Sequence, residues 1–163
     1  MTSGGTTHKL KALLGHKTVL EHTLDAVRAS GLRWHLEDAG HAGMGDSISA
    51  AVRATPSANG WLMVLGDLPM VQSSTLQSLA AALAGQDVVV PTYRGQRGHP
   101  VGFSARCRDA LLNLKGDQGA AAVVRDFGAT TLDLDDQGIL LDIDTVADLE
   151  HLRELMGFPR SPI

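Results

Sequence analysis

Asp67 is the first candidate functional residue, because it directly follows a continuous apolar run. The run at residues 61–65 stops at Gly66-Asp67, which is typical of a buried strand and the loop after it. A carboxylate held at that position is a hard oxygen ligand, suited to Mg²⁺ that also contacts substrate phosphates. The alternative is that Asp67 only caps a turn before Pro69. The pattern alone leaves both functions open.

Two more carboxylates, Asp142 and Asp144, are separated by one residue near the end of the chain. If residues 139–143 form a strand, both side chains share one face. They then repel each other unless a cation or solvent lies between them. Asp144 could instead be the N-cap of the last helix, which would leave Asp142 to bind a metal.

Two loops contain glycine beside groups suited to anionic ligands. Residues 93–100, YRGQRGHP, combine two arginines and a histidine with glycines that allow close backbone approach, although most such loops are simply solvated. Residues 43–47, GMGDS, open a helix whose N–H groups could face a ligand. Lys9 and Lys11 are single cations in a polar start, where lysines are usually only solvated.

Composition excludes several other classes of function. With 163 residues, 44% hydrophobic content and a net charge of −4, the chain fits one globular domain and makes nucleic acid a poor partner. The single cysteine, Cys107, excludes a disulfide framework. The sequence contains no GxxxxGK[ST], GxSxG or HExxH motif. No apolar run is long enough to span a membrane and no signal peptide is recognisable, which predicts a cytoplasmic protein.

Strands and helices alternate along the chain. Helical spacing covers residues 18–30, with Gly31 as a stop signal, and returns at 48–54, 73–84, 117–127 and 146–156. Ser73 or Ser74 is expected to cap one helix, and Ser104 another. Strands are predicted at 33–37, 61–65, 87–90, 101–103, 131–134 and 139–143. This order predicts an α/β domain with a mostly parallel sheet, whose strand ends carry the ligand site.

The motifs in their order resemble the MobA-like NTP transferases, most closely the molybdenum cofactor cytidylyltransferase (MocA-type) branch. The matching stretches are GGTTHKLKALLG, VLEHTLDAVRASGL, GMGDSI, LGDLPMV, VVVPTYRGQRGHPVGF, LKGDQGAAAVV and LLDIDTVADLE. The resemblance implies one domain over residues 1–163 with a three-layer, Rossmann-like nucleotidyltransferase fold. RGHPVGF favours the cytidylyltransferase side over the guanylyltransferase side.

The resemblance also implies roles for individual residues. Asp67 corresponds to a Mg²⁺ ligand and Asp142 with Asp144 to the second metal-binding element. Lys9 resembles the lysine that closes a phosphate-binding loop, of which Gly4 and Gly5 are part. The residues of the base-recognition turn would be Gly43, Met44, Gly45 and Ser47. The segment facing the pterin would be Arg97, Gly98, His99 and Pro100.

The implied reaction is transfer of CMP from CTP to the terminal phosphate of molybdopterin or the molybdenum cofactor, with release of pyrophosphate. A molybdoenzyme or its chaperone is a further expected partner. Two alternatives stay open: guanylyl or other nucleotidyl transfer to a related small molecule, and a non-catalytic cofactor-binding protein that has lost nucleotide binding.

The sequence departs from the family pattern near its start. The family begins with a buried strand leading into a loop of the form LAAGxSxRxG, of which only residues 4–9 match here. A second family strand is expected after the first helix, where Gly31-Leu32 runs into RWHLED. Either the polypeptide has segments that this sequence omits, or the protein is a remnant without nucleotide binding.

Overall fold

The computed structural model describes residues 9–158, which contain seven strands and six complete α-helices, besides the helical residues 9–11. The strands are β1 (Leu13–Leu14), β2 (Lys17–Thr18), β3 (Gly60–Met63), β4 (Val88–Tyr93), β5 (Gln96–Arg97), β6 (Val101–Ser104) and β7 (Ala129–Asp133). The helices are α1 (Val19–Ala29), α2 (Met44–Ala54), α3 (Ser73–Ala82), α4 (Arg108–Leu112), α5 (Ala121–Phe127) and α6 (Val146–Leu155). None of these helices is long and apolar enough to cross a membrane.

The central sheet is mixed, so the prediction of a mostly parallel sheet is wrong. Its strands run in the order β3-β6-β4-β5, and β7 pairs with the other side of β4. Within residues 9–158, only the β4–β7 pairing of this sheet is parallel; β3–β6, β4–β6 and β4–β5 are antiparallel. The reason is that β6 follows β4 and β5 through short connections and inserts between β3 and β4. Short connections of this kind produce antiparallel neighbours, whereas parallel neighbours need a crossover.

Helices cover both faces of this sheet, which confirms the three-layer α/β architecture. Along β3, Trp61 and Met63 pack with residues of α2, α4 and α5. The alternate residues Leu62 and Val64 pack with residues of α1 and α3. Successive strand residues point to opposite faces, so each face has its own apolar core.

Several local features have clear causes in the sequence. Thr18 begins α1 with a capping box, in which its hydroxyl accepts from the Glu21 N–H and its own N–H donates to the Glu21 carboxylate. Gly31 follows the end of α1 with a left-handed φ of 74°, as its helix-stop role requires. Ser104 caps the short 3₁₀ turn before α4, as predicted.

Three predicted elements differ in the structure. Residues 33–37 form no strand; Trp34 and Leu36 are exposed, because no neighbouring strand in residues 9–158 pairs with this segment. Residues 139–143 are not a strand either, since a 3₁₀ turn occupies Gln137–Leu140 and irregular chain follows. Strand β4 continues through Pro91 instead of ending there. Pro91 lies between the residues that pair with β6 and those that pair with β5, so its missing N–H is tolerated.

Helix α2 begins at Met44, within the GMGDS stretch that was expected to open a helix. Helix starts or N-caps differ from prediction at three other places. Helix α5 begins at Ala121 instead of residue 117. Helix α3 has Gln72, not a serine, as its N-cap, and Asp136 satisfies the Gln72 N–H from another segment. The N-cap of α6 is Thr145, which forms a capping box with Asp148. Asp144 is therefore not the cap, and its side chain is available for another role.

Candidate functional site

Three carboxylates converge just beyond the carboxyl end of β3. Asp67, Asp142 and Asp144 each offer one oxygen, and these oxygens lie within 4.8 Å of one another. The loop after β3 and the segment before α6 are joined by a 3.1 Å hydrogen bond from the Ile143 N–H to the Asp67 carbonyl. The fully buried neighbours Leu68 and Ile143 anchor the two segments in separate apolar clusters. Rigid packing on both sides therefore fixes the spacing of the carboxylates.

Lys9 lies against this carboxylate cluster, defined as Asp67, Asp142 and Asp144. Its Nζ is 3.5 Å from Oδ1 of Asp144 and 4.0 Å from Oδ2 of Asp67. The side chains of Lys9 and Asp67 are only 17% and 14% exposed, whereas Asp144 is 66% exposed. One cation therefore faces three anionic groups, which leaves the site with an excess of negative charge.

The electrostatics of the cluster suit the binding of a divalent cation. Burial raises the pKa of Asp67, the Lys9 charge opposes that rise, and the charges of Asp142 and Asp144 add to it. Burial is also the main cause that raises the pKa of Asp142. Oδ1 of Asp67 is buried and has no hydrogen-bond partner among the described residues. An orphaned carboxylate oxygen among two others forms a donor set that suits a hard divalent cation.

Asp136 links the two segments that carry the cluster, and sequence reasoning missed it. This side chain is 2% exposed. Its Oδ2 accepts from the Gln72 N–H at 2.9 Å and from the Thr75 hydroxyl at 2.7 Å, while Oδ1 accepts from the Gly138 N–H at 2.8 Å. The start of α3 is thus tied to the turn that leads to Asp142. The only sequence signal was an Asp two residues before a glycine, which is typical of an Asx turn.

Part of the RGHP loop, residues 97–100, lies beside the turn at Gln137–Leu140. The Gly98 N–H donates to the Pro91 carbonyl, and the His99 N–H donates to the Ile139 carbonyl, both at 2.9 Å. A Cβ on Gly98 would collide with the backbone of Ile139, so the close approach requires glycine. Burial raises the pKa of Asp142, and a smaller electrostatic effect of His99 opposes that rise. Pro100 is buried after a cis peptide bond, and Arg97 is exposed in β5.

The GMGDS turn is bound to a different partner, the loop at residues 115–119. The Gly45 N–H donates to the Gly116 carbonyl at 2.8 Å, and the Gly116 N–H donates to Oδ1 of Asp46 at 3.0 Å. Gly43 is the N-cap of α2, Met44 is exposed, and the Ser47 hydroxyl donates to the Gly43 carbonyl. No hydrogen bond or ion pair between described residues joins this turn to the carboxylate cluster.

Replacement of Gly43 by alanine tests the packing of this turn. Its backbone is extended, so φ imposes no strain, but a Cβ would collide with the Gly116 carbonyl and the Asp117 carboxylate. We expect Gly43→Ala to lower the free energy of unfolding by about 2 kcal/mol, as overpacking does, and the melting temperature by roughly 5 °C. Gly119→Ala is the matched control, because a Cβ there meets nothing within 4 Å. Equal melting temperatures for the two variants would contradict the close contact.

The family follows from the sequence match. Residues 19–131 match the model of the MobA-like NTP transferase domain, a range that includes Asp67 and the GMGDS turn. The chain belongs to the MobA-like NTP transferase domain family. Lys9, Asp142 and Asp144 lie outside the matched residues of that domain, and it is the structure that brings them to Asp67.

Individual members and structural neighbours agree with this family. Purine catabolism protein PucB from Bacillus subtilis (strain 168) is 35% identical over 133 residues, which cover 77% of this chain and 64% of PucB. The chain thus spans less than two thirds of the length of that relative. Rv0371C from Mycobacterium tuberculosis H37Rv, crystallised with manganese, superposes with a TM-score of 0.76 and 26% identity, covering 90% of this chain and 91% of its own.

A nucleotidyl transferase from Methanothermobacter thermautotroptrophicus (Mth528) shares the fold at a TM-score of 0.73. Its identity is 20%, and the match covers 94% of this chain and 90% of that protein. At that identity the likeness shows the fold alone. The α/β nucleotidyltransferase fold expected from the motifs is therefore confirmed for this MobA-like domain, apart from the direction of its strands.

The predicted site residues fall into three groups in the structure. Lys9, Asp67, Asp142 and Asp144 come together, and Gly98 and His99 contact the neighbouring segment. The GMGDS residues form a separate turn. Gly4 and Gly5 lie outside the described residues. Asp142 and Asp144 were predicted to share one face of a strand. They are not in a strand, yet both belong to the same cluster.

Proposed function

We propose that this chain is a nucleotidyltransferase that transfers CMP from CTP to the terminal phosphate of molybdopterin or the molybdenum cofactor. The observation that carries the proposal is the cluster of Asp67, Asp142 and Asp144 with Lys9 at the carboxyl end of β3. Membership in the MobA-like family supports nucleotidyl transfer, and the RGHPVGF stretch supports CTP over GTP. PucB, named for purine catabolism, suggests an enzyme of that process as the recipient of the modified cofactor.

The chemistry proposed is an in-line displacement at the α-phosphorus of CTP. An oxygen of the acceptor phosphate forms the new P–O bond, the bond to the β-phosphate oxygen breaks, and pyrophosphate leaves with the electron pair. Catalysis of this kind depends on positioning and charge neutralisation more than on covalent chemistry by the protein.

The residues of the site each have a role in this reaction. Asp67, with Asp142 and Asp144, would hold a divalent cation, Mg²⁺ in the cell, through hard oxygen ligands. When bound, the cation supplies Lewis-acid stabilisation of charge on the phosphates. The manganese complex of the structural neighbour supports a divalent cation in this fold. In this proposal Lys9 would neutralise the pyrophosphate, and Gly98 and His99 would border the acceptor.

A nucleotide screen tests the proposed substrate. With Mg²⁺ present, we expect CTP to raise the melting temperature more than GTP or ATP, because a ligand that binds only the native state stabilises it. At a hundred times its Kd, CTP would add about 2.7 kcal/mol, roughly 5 °C or more for a domain of this size. Pyrophosphate release from CTP should then require molybdopterin.

Two other outcomes of the screen would change the function. A larger shift with GTP would favour guanylyl transfer instead. If molybdopterin binds but no nucleotide raises the melting temperature, the protein would be a non-catalytic cofactor-binding protein. The same screen without Mg²⁺ is the control, since the carboxylate cluster repels a bare triphosphate.

A further inference from the structure

A groove lies between α2 and the end of α4. It has a volume of about 340 Å³, and none of its lining residues belongs to the carboxylate cluster. His41, Asp46 and Arg53 line one side, and Leu112, Leu114 and Lys115 line the other. The volume lies in the range of pockets that take small molecules.

The charged side chains of this α2–α4 groove favour an anion. Arg53 and Lys115 are exposed, and no ion pair or side-chain hydrogen bond engages either of them in residues 9–158. The one carboxylate in the lining is Asp46, and its Oδ1 already accepts from the Gly116 N–H at 3.0 Å. The lining therefore has two basic side chains and one carboxylate that is already hydrogen-bonded, on a chain whose net charge is −4. Local cations of this kind attract an anionic ligand even to an acidic protein.

His41 is held in place at the edge of the groove by a carboxylate behind it. Its Nε2 lies 2.8 Å from Oε1 of Glu37, and Oε2 of Glu37 lies 2.9 Å from Nε2 of His35. Hydrogen bonds from His35 and then His41 lower the pKa of Glu37, so this carboxylate stays ionised and fixes the imidazole. A fixed ring binds a ligand at a lower entropic cost than a mobile one.

Apolar side chains in the lining favour an organic ligand over a simple ion. Leu112 is half-buried, Leu114 is buried, and Ala50 completes the apolar part of the lining. These apolar side chains lie beside charged ones, so they can contact the organic part of a molecule whose charged group sets its orientation. We infer that the α2–α4 groove binds a small phosphate monoester, with its phosphate on Arg53 and Lys115 and its organic part on Leu112 and Leu114.

Titration of the full chain with phenyl phosphate, followed by backbone amide NMR shifts, tests this site. The buffer contains EDTA, so that no divalent cation can bring phosphate to the carboxylate cluster. We expect saturable shifts at groove residues and an affinity about tenfold higher than for inorganic phosphate or phenol, since each lacks half of the contacts. R53Q and K115Q should each weaken binding about tenfold through loss of a charge-assisted hydrogen bond.

Matched variants separate this site from the proposed catalytic one. R125Q removes an exposed cation from α5 and should leave phenyl phosphate binding unchanged, as should D67N in the carboxylate cluster. Unchanged melting temperatures for R53Q and K115Q would show that the loss of affinity is local. The inference does not depend on nucleotidyl transfer, so failure of the nucleotide screen leaves it standing.

Three results would overturn the inference. One is unaltered affinity in the R53Q/K115Q double variant, and another is a set of shifts confined to the carboxylate cluster. The third is a phosphoserine peptide that binds more than about tenfold tighter than phenyl phosphate, which would make the groove a docking site for a phosphorylated protein.

Discussion

Replacing Asp67 by asparagine is expected to abolish divalent-cation binding and to lower nucleotidyl transfer roughly a thousandfold or more, while the metal-free fold becomes more stable. The loss follows because the Asp67 side chain is only 14% exposed and its buried Oδ1 has no hydrogen-bond partner among the described residues. The gain follows from the pKa of Asp67, which burial raises above its ordinary value. At neutral pH the ionised form therefore costs the folded state free energy, and asparagine removes this cost.

Two measurements check this expectation independently. Titration with Mn²⁺, followed by electron paramagnetic resonance, should show a bound ion in the native protein and none in Asp67→Asn. Thermal unfolding in EDTA should give the variant a higher melting temperature than the native protein. Asp126→Asn, which makes the same change of charge at an exposed position on α5, is the control and should affect neither result. Native Mn²⁺ affinity in Asp67→Asn would contradict the proposal that Asp67 is a metal ligand.

The sequence predicted the helical layers and the position of Asp67 in the loop after β3, because both depend on local patterns. Apolar spacing at 3.6 residues identifies α1 and α6, and an apolar run that stops at Gly66-Asp67 identifies β3 and its loop. Caps were predictable only where the partner is close in sequence. Ser104 bonds two residues ahead, whereas the cap of α3 comes from Asp136, 64 residues away from Gln72.

Strand direction and strand partners were not predictable in the same way. The alternation in residues 33–37 resembles a strand, but a strand also needs a neighbour to accept its hydrogen bonds, and no described segment provides one. The residues of β6 have an ordinary strand pattern. This pattern does not indicate that β6 lies between β3 and β4 and runs antiparallel to both. Long-range pairing sets these features, so a pattern within one segment cannot reveal them.

The carboxylate cluster depends both on local sequence patterns and on long-range packing. The side chains of Asp142 and Asp144 were selected for their spacing, on the assumption of a strand that does not form. They reach Asp67 because a 3₁₀ turn and the buried Ile143 direct the irregular segment towards the loop after β3. Both residues were predicted to share a strand face, whereas in the structure tertiary packing brings them to Asp67.

Replacing Asp136 by alanine is expected to destabilise the fold by about 3 kcal/mol and to weaken Mn²⁺ binding at a site it does not touch. Three donors would lose their acceptor in a position that is 2% exposed, and buried unsatisfied donors each cost about 1 kcal/mol or more. The segment leading to Asp142 would then lose its tie to the start of α3. A loss of about tenfold in Mn²⁺ affinity follows if this tie sets the spacing of the carboxylates.

Comparison with neighbouring and conservative variants distinguishes positioning from a general loss of stability. Asp135→Ala removes an adjacent, exposed carboxylate and should change neither unfolding nor Mn²⁺ binding. Asp136→Asn keeps one carbonyl acceptor and should recover part of both quantities. Well below its melting temperature, Asp136→Ala should still bind Mn²⁺, but weakly. The folded variant keeps all three carboxylates, whereas the displaced segment no longer holds them at the native spacing. Native Mn²⁺ affinity in a folded Asp136→Ala would show that the packing of Leu68 and Ile143 fixes the cluster without this bond network.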